Sequence, residues 1–474
     1  MRLKRMKKFI NKLIQFSVGP VVGAFIGFIT IPLTTNLISP AEYGKVSMFN
    51  TIQSILTMTV FLGMDQAFVR YYNSEKNKIK LLFNSIILPM VLVVLLISFI
   101  PFFSSNISEF LFGCDIYKIP VYFMMLTIPL MVIERFLLLQ MRMEEKAIQY
   151  SIFNIFIKIA VFILTFILLI FVRRDFLSVV YSIIFGQMIG DLVLISMYIK
   201  KIKIKKNFIE KEKIKELAKF GVPLVPAAII GLLLNSLDTI FLRHFCDFSQ
   251  LGLYSAANKF VSILNIIQTS FTTFWVPIAY RWYNEKKSNA YFSIVSESIA
   301  FIMTIIFLII LLFKNIIVLV LSKNYLEAKY IAPFLLFFPI MYTMSETTTL
   351  GIPFSKKTYY NTVISTIALI INLILNILLI PKYGAIGAAI ATALSYIVFF
   401  WTRTLISRKL WYNFKLTKFY IYTILLFLVS LLNIIIRSKY ILVVNISAII
   451  LVIFINLKLI KNVINIYLYE RIKE

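Results

Sequence analysis

The chain has 474 residues, 60% of them hydrophobic, and a mean hydropathy of +0.89. This excludes a soluble globular protein. Fourteen bilayer-length apolar stretches leave no segment of the ~50 residues that a separate catalytic domain needs. The net charge of +28 lies in short loops between these stretches, where basic residues set topology and meet anionic lipid, so no nucleic-acid surface is expected.

A bilayer core of about 30 Å takes roughly 20 helical residues. The expected spans are 14–38, 46–70, 81–104, 119–140, 150–172, 176–199, 219–244, 251–277, 290–313, 330–354, 361–380, 386–407, 419–436 and 441–460. A basic segment ending at Lys8 precedes an apolar run to Ile38. That run is too long for a signal-peptide core, so the first span is read as retained. It carries Ser17, Gly23, Gly27 and Thr34 at close-packing intervals, with Pro20 and Pro32 able to bend it. With the N-terminus in the cytoplasm, 35 Lys and Arg fall inside, 11 in outside loops, and Arg135, Lys158 and Lys259 at depth. That bias places both termini in the cytoplasm.

The polar stretch from Lys200 to Lys219 follows the sixth span. It divides the chain into a six-helix bundle (1–199), a basic cytoplasmic linker (200–218), a second six-helix bundle (219–407), and two further spans with a tail (408–474). Cys114 and Cys246 lie near expected outer loops without metal-motif spacing, and His244 is the only histidine. No metal or other cofactor is expected.

The halves share a pattern. Around Gly44 the chain reads Leu37-Ile-Ser-Pro-Ala-Glu-Tyr-Gly-Lys-Val-Ser-Met-Phe-Asn50; around Gly252 it reads Phe245-Cys-Asp-Phe-Ser-Gln-Leu-Gly-Leu-Tyr-Ser-Ala-Ala-Asn258. At an offset of 208 residues Gly44 falls on Gly252, Ser47 on Ser255, Asn50 on Asn258, and Ser54-Ile-Leu56 on Ser262-Ile-Leu264. Six spans separate the two starts, so both begin inside and the repeat is parallel, as in transporters whose halves open alternately to each side.

Polar stripes mark the functional face. The eighth span carries Ser255, Asn258, Lys259, Ser262, Asn265, Thr269 and Thr272, mostly three or four residues apart; the second carries Ser47, Asn50, Thr51, Ser54, Thr57 and Asp65. Such a face avoids lipid and meets other helices or water. The seventh span adds Pro223, Pro226, Gly231, Asn235 and Asp238. Lys259 lies roughly 12 Å from the outer end of its span, and Lys158 about as deep from the inner end of the fifth. Each costs on the order of 3 kcal/mol unless paired or hydrated. As structural cations they would pair with Asp238, Asp191, Glu297 or Glu346. As functional ones, with Arg243 at the outer mouth, they would attract an anionic substrate. Arg70 and Arg403, at inner helix ends, read as snorkelling anchors. Asp65 and Asp238 are the candidates for cation coupling, with pairing to Arg70 and Arg243 as the structural alternative.

The loop Ile38-Ser-Pro-Ala-Glu-Tyr-Gly44, the segment from Asp238-Thr-Ile-Phe-Leu242 to Leu251-Gly-Leu-Tyr-Ser-Ala-Ala-Asn-Lys259, and Pro381-Lys-Tyr-Gly-Ala-Ile-Gly-Ala-Ala-Ile-Ala-Thr-Ala393 resemble bacterial polysaccharide biosynthesis proteins. These are oligosaccharide flippases of the multidrug/oligosaccharidyl-lipid/polysaccharide exporter superfamily. The resemblance implies an all-α membrane protein of two six-helix bundles around a cavity lined by spans 1, 2, 7 and 8. It also implies transport of a polyprenyl-pyrophosphate-linked oligosaccharide across the bacterial cytoplasmic membrane to its outer leaflet. Membrane lipids, a polysaccharide polymerase and glycosyltransferases are the accompanying partners. Spans 13 and 14 resemble the extra pair of fourteen-span flippases. The first span lacks the cationic residues of lipid II flippases, which argues against lipid II as substrate. The rival readings are a drug/cation antiporter, which would rely on Asp65 and Asp238, and a membrane polymerase or ligase, which would need a sizeable outer loop. No phosphate-binding loop for ATP is present.

Overall fold

Capping side chains start some of the helices of this chain, and glycine closes or bends others. The computed structural model describes residues 2–199, 209–459 and 461, and among these it is all-helical, with 87% helix and no strand. Helix α1 covers Arg2–Leu37. Ser39 caps α2 (Pro40–Val60) by accepting the Glu42 N–H, and Pro40 takes the first turn, where a missing N–H costs nothing. Leu62 and Gly63 have positive φ (48° and 71°), which breaks the second expected span and sets α3 (Met64–Tyr71) at 50° to α2. Asn77 caps α4 (Lys78–Phe112), and Gly113 closes it in the left-handed region.

Helices α5 (Lys118–Met143), α6 (Ala147–Ile167) and α7 (Phe176–Ile199) follow. Residues 200–208 of the basic linker lie outside the described residues. The rest of it enters α8 (Lys211–Gly221), which continues into α9 (Val225–Phe245). Then come α10 (Phe248–Val261), α11 (Ile263–Asn284), α12 (Asn289–Leu312), α13 (Lys314–Leu319), α14 (Ala328–Leu335), α15 (Phe337–Thr348), α16 (Gly351–Phe354), α17 (Tyr359–Leu410), α18 (Thr417–Ile435) and α19 (Ile441–Ile455).

Nine helices among the described residues are long and apolar enough to cross a membrane, ten if the bent pair α2–α3 is one span. The expected fourteen are not all reached, for identifiable reasons. Expected spans 361–380 and 386–407 fall on the two helical halves of α17, which meet at Gly384 in a non-helical conformation open to glycine (φ 56°, ψ −133°), so one continuous stretch holds both. Span 330–354 falls on three short helices, α14 to α16. The first expected span falls on α1 (Arg2–Leu37), and the last holds α19, an apolar helix of 15 residues among the described residues.

The chain divides into two units: residues up to Arg243 with Asp247–Gly252, and His244–Cys246 with residues from Leu253 onward. In the first unit, glycines let backbones meet. A Cβ on Gly186 or Gly190 would stand 2.6 Å from Val161 or 2.3 Å from Ile157, so α7 lies directly on α6. Gly63 and Gly221 approach each other in the same way, bringing α8 onto α3. Ion pairs Lys213–Glu75 (2.8 Å) and Lys80–Glu210, with the Glu210 N–H donating to Asn84 Oδ1 (2.8 Å), complete that docking. A Cβ on Gly44 would meet the Phe248 carbonyl oxygen at 2.1 Å, and one on Gly252 the Pro40 oxygen at 1.8 Å.

In the second unit, α15 packs on α12 and α17, and α18 and α19 pack on α12. Trp275, Phe292 and Phe354 form an aromatic core with Trp411 against it. Asn433 Nδ2 donates to Asn445 Oδ1 (2.8 Å), and Asn445 Nδ2 reaches the Leu311 carbonyl (3.3 Å), satisfying polar groups between apolar helices. Cys114 and Cys246 are free thiols.

Candidate functional site

The first unit holds a polar cavity of about 270 Å3. Helix α5 supplies Met131, Glu134, Arg135, Leu138, Leu139 and Arg142, an i, i+3/i+4 face. Tyr150 and Asn154, one turn apart on α6, and Thr57 and Phe61 at the end of α2 close it. Arg135 donates to Asp65 Oδ2 at 2.9 Å and lies over the Phe61 ring at 5.7 Å. Gln66 Nε2 adds a second bond to the same oxygen (3.1 Å). The break at Gly63 makes this geometry: it turns Asp65 onto a short helix beside α5, where a straight second span would have carried it onward.

Behind the cavity, Gln187 Nε2 donates to Glu134 Oε2 (3.0 Å) and to Asp191 Oδ1 (2.8 Å). Asp191 is fully buried. Lys158, one turn beyond Asn154, is near enough to act electrostatically on Glu134, and its stem lies 3.4 Å from where a Cβ on Gly23 would be. Four helices of the first unit, α3, α5, α6 and α7, thus bring acids and bases together.

The expected site residues are placed as follows. Ser47 and Asn50 are half-buried on α2. Ser255 is buried, whereas Asn258, Lys259 and Ser262 are exposed on the second unit, with Ser262 at the α10–α11 junction. Lys158 is exposed and Asp238 is buried on α9. Arg243 holds the end of α4: its Nε and Nη2 donate to the Phe110 and Glu109 carbonyls (2.7 and 2.9 Å), and Phe248 lies under it at 4.5 Å. A cation there meets the negative end of the helix dipole.

Several expected pairings are corrected. Asp65 pairs with Arg135, while Arg70 is exposed. Glu297 and Glu346 pair with Lys418 (2.6 Å) and Arg403 (2.9 Å), and with neither Lys158 nor Lys259. Arg403 is buried between Tyr342 and Phe399, so it is no snorkelling anchor. The sequence showed Arg135 as a charge at depth, but Glu134, Arg142, Tyr150 and Asn154 entered no expected site. The spacing of Glu134, Arg135 and Arg142 on one helix was the available signal.

Residues 10–282 match the family described as "Polysaccharide biosynthesis protein". A curated relative, the probable low-salt glycan biosynthesis flippase Agl15 of Haloferax volcanii, is 23% identical over 81% of this chain and 80% of its own. Among solved structures, lipid II flippase MurJ in an inward closed conformation aligns with a TM-score of 0.73 at 18% identity, covering 94% of this chain and 100% of that one. An inward-facing multidrug resistance MATE family transporter aligns at 0.60 and 13% identity, covering 83% and 93%. The two solved structures share the fold of this chain, and the proteins it resembles are flippases and transporters. With more than half its length matched, the chain belongs to the polysaccharide biosynthesis protein family.

Proposed function

We propose that this protein flips a polyprenyl-pyrophosphate-linked oligosaccharide from the cytoplasmic to the outer leaflet of a bacterial cytoplasmic membrane by alternating access, for surface polysaccharide biosynthesis. The observation that carries the reading is the cavity of the first unit. It gathers Arg135, Arg142, Tyr150, Asn154 and Thr57 among helices of spanning length. A pyrophosphate needs offsetting positive charge in a low-dielectric setting, and sugar hydroxyls exchange hydrogen bonds with such groups at little net cost. The polyprenyl tail never leaves hydrocarbon.

In the same reading Lys158, Lys259 and Arg243 add positive potential, and Ser47, Asn50, Ser255, Asn258 and Ser262 serve the sugar. Asp238 is the candidate for coupling, while the Asp65 carboxylate serves Arg135. Fourteen spans in two parallel six-helix bundles, with a C-terminal pair and both termini inside, complete the architecture. The reciprocal contacts of Gly44 with Phe248 and Gly252 with Pro40 support the repeat, because the 208-residue offset maps each onto the other. A polymerase and glycosyltransferases are the proposed partners.

Reconstitution tests this reading. Vesicles carrying a lipid-linked oligosaccharide in the inner leaflet are given an imposed potential without a pH gradient, and exposure of the headgroup is followed with an added glycosidase. Protein-dependent exposure is expected. Cation or dye exchange without movement of the glycolipid would favour the antiporter reading instead.

A further inference from the structure

Three cations of the second unit converge on one ring. Lys314 Nζ lies 5.4 Å from the Tyr330 centroid, Lys329 Nζ 5.1 Å and Arg437 Cζ 4.8 Å, and Tyr330 itself is buried. Among the described residues, none of the three forms an ion pair with a carboxylate. Lys314 is only 5% exposed and spends one N–H on the Asn433 carbonyl (2.9 Å). Lys329 stands in the first turn of α14, where the helix dipole disfavours a cation. Cation–π attraction holds each charge to the ring but does nothing to relieve their mutual repulsion.

Lys314 also lines a cavity of about 260 Å3 whose other walls are apolar, among them Val261, Leu264, Val318, Ala332 and Leu336. The outer side of α13 exposes Ile316 (61%) and Leu319 (69%), a face suited to lipid rather than water. An apolar slot that ends in unneutralised positive charge matches an amphiphile with an anionic head. Its volume lies below the roughly 300–1,000 Å3 of drug-sized pockets, room for one acyl segment and too little for a polyprenyl chain.

We infer that Lys314, Lys329 and Arg437 bind the phosphate of an anionic phospholipid whose acyl chain enters the adjoining cavity. This is a resident lipid site of the second unit. Burial, with Lys329 adding to it, pushes the Lys314 ammonium down to about 8, and a bound phosphate would reverse that shift. In the expected topology all three cations lie on the outer side, against the basic bias, so anchoring to the inner leaflet does not account for them.

The test uses full-length protein in an uncharged detergent, titrated separately with short-chain phosphatidylglycerol, short-chain phosphatidylcholine and inorganic phosphate. Thermal midpoint and lipid retained in native mass spectrometry are read. Phosphatidylglycerol is expected to raise the midpoint and to be retained; the other two are not. The double variant Lys329→Gln/Arg437→Gln alters a half-exposed and an exposed side chain. It should keep the lipid-free midpoint but weaken phosphatidylglycerol about tenfold or more. Ala332→Phe, which fills the cavity and keeps every charge, should weaken it as well. Equal response to phosphatidylcholine, a full response to inorganic phosphate alone, no response to phosphatidylglycerol, or undiminished binding in the double variant would each overturn the proposal.

Discussion

Gly44 and Gly252 are each pressed against a backbone carbonyl four residues from the other: Gly44 on Phe248, Gly252 on Pro40, at would-be Cβ distances of 2.1 and 1.8 Å. Neither carbonyl belongs to a side chain that could turn aside. Gly44→Ala or Gly252→Ala should therefore cost on the order of 3 kcal/mol or displace the helices. The midpoint of unfolding in detergent reports it. Gly27→Ala and Gly231→Ala, whose Cβ would meet nothing within 4 Å, are the controls and should be neutral or slightly stabilising. Equal tolerance at all four positions would show that the contact is loose.

The Asp65–Arg135 pair joins a buried acid to a half-exposed base, with side-chain exposures of 9% and 43%. Arg135→Gln strands a buried carboxylate. Breaking a fully buried pair costs about 3–5 kcal/mol, and exposure of the arginine reduces this to about 1–2. The double variant Asp65→Asn/Arg135→Gln should recover part of the loss, and a double-mutant cycle measures the coupling. Glycan export should stay low in the double variant if Arg135 also serves the substrate.

Lys259 is exposed on the second unit. Lys259→Ala should insert and fold normally yet export less surface glycan, and Lys259→Arg should keep more activity because the charge is retained. Full export by the Ala variant at normal protein level removes Lys259 from the substrate path.

The docking of α8 carries a pH signature. The hydrogen bond from Lys213, against a smaller opposing effect of burial, holds the Glu75 carboxyl below its ordinary value of 4.5. A depressed acid adds stability that is present above the ordinary value and is lost as pH falls through the lowered one. Hydrogen exchange of α8 should therefore accelerate below about pH 4.5 relative to neighbouring helices, and Glu75→Gln should flatten the response. An unchanged profile in that variant would place the acid sensitivity elsewhere.

Topology can be read with single cysteines in a background lacking Cys114 and Cys246. An impermeant thiol reagent added to intact cells should label Lys382→Cys, expected outside, and spare Lys287→Cys, expected inside; both positions are exposed. The reverse pattern would invert the proposed orientation.

The amino-acid sequence by itself determined that this is a helical membrane protein, and its loop motifs pointed to the family. Both follow from local chemistry: apolar runs must form helices in lipid, because every backbone group has to be satisfied within the segment. The 208-residue offset was legible as matching residues along the chain, and at Gly44 and Gly252 the structure adds close backbone contacts that leave no room for a Cβ. Tertiary structure alone decided the charge partners. Asp65 meets Arg135 seventy positions away, and Glu346 meets Arg403 across fifty-seven. Ion pairing depends on which helices abut, and hydropathy is silent about that. It also decided that the second span bends at Gly63 and that Lys314, Lys329 and Arg437 share one ring. Those arrangements come from the crossing of packed helices, where distance in space has no relation to distance along the chain.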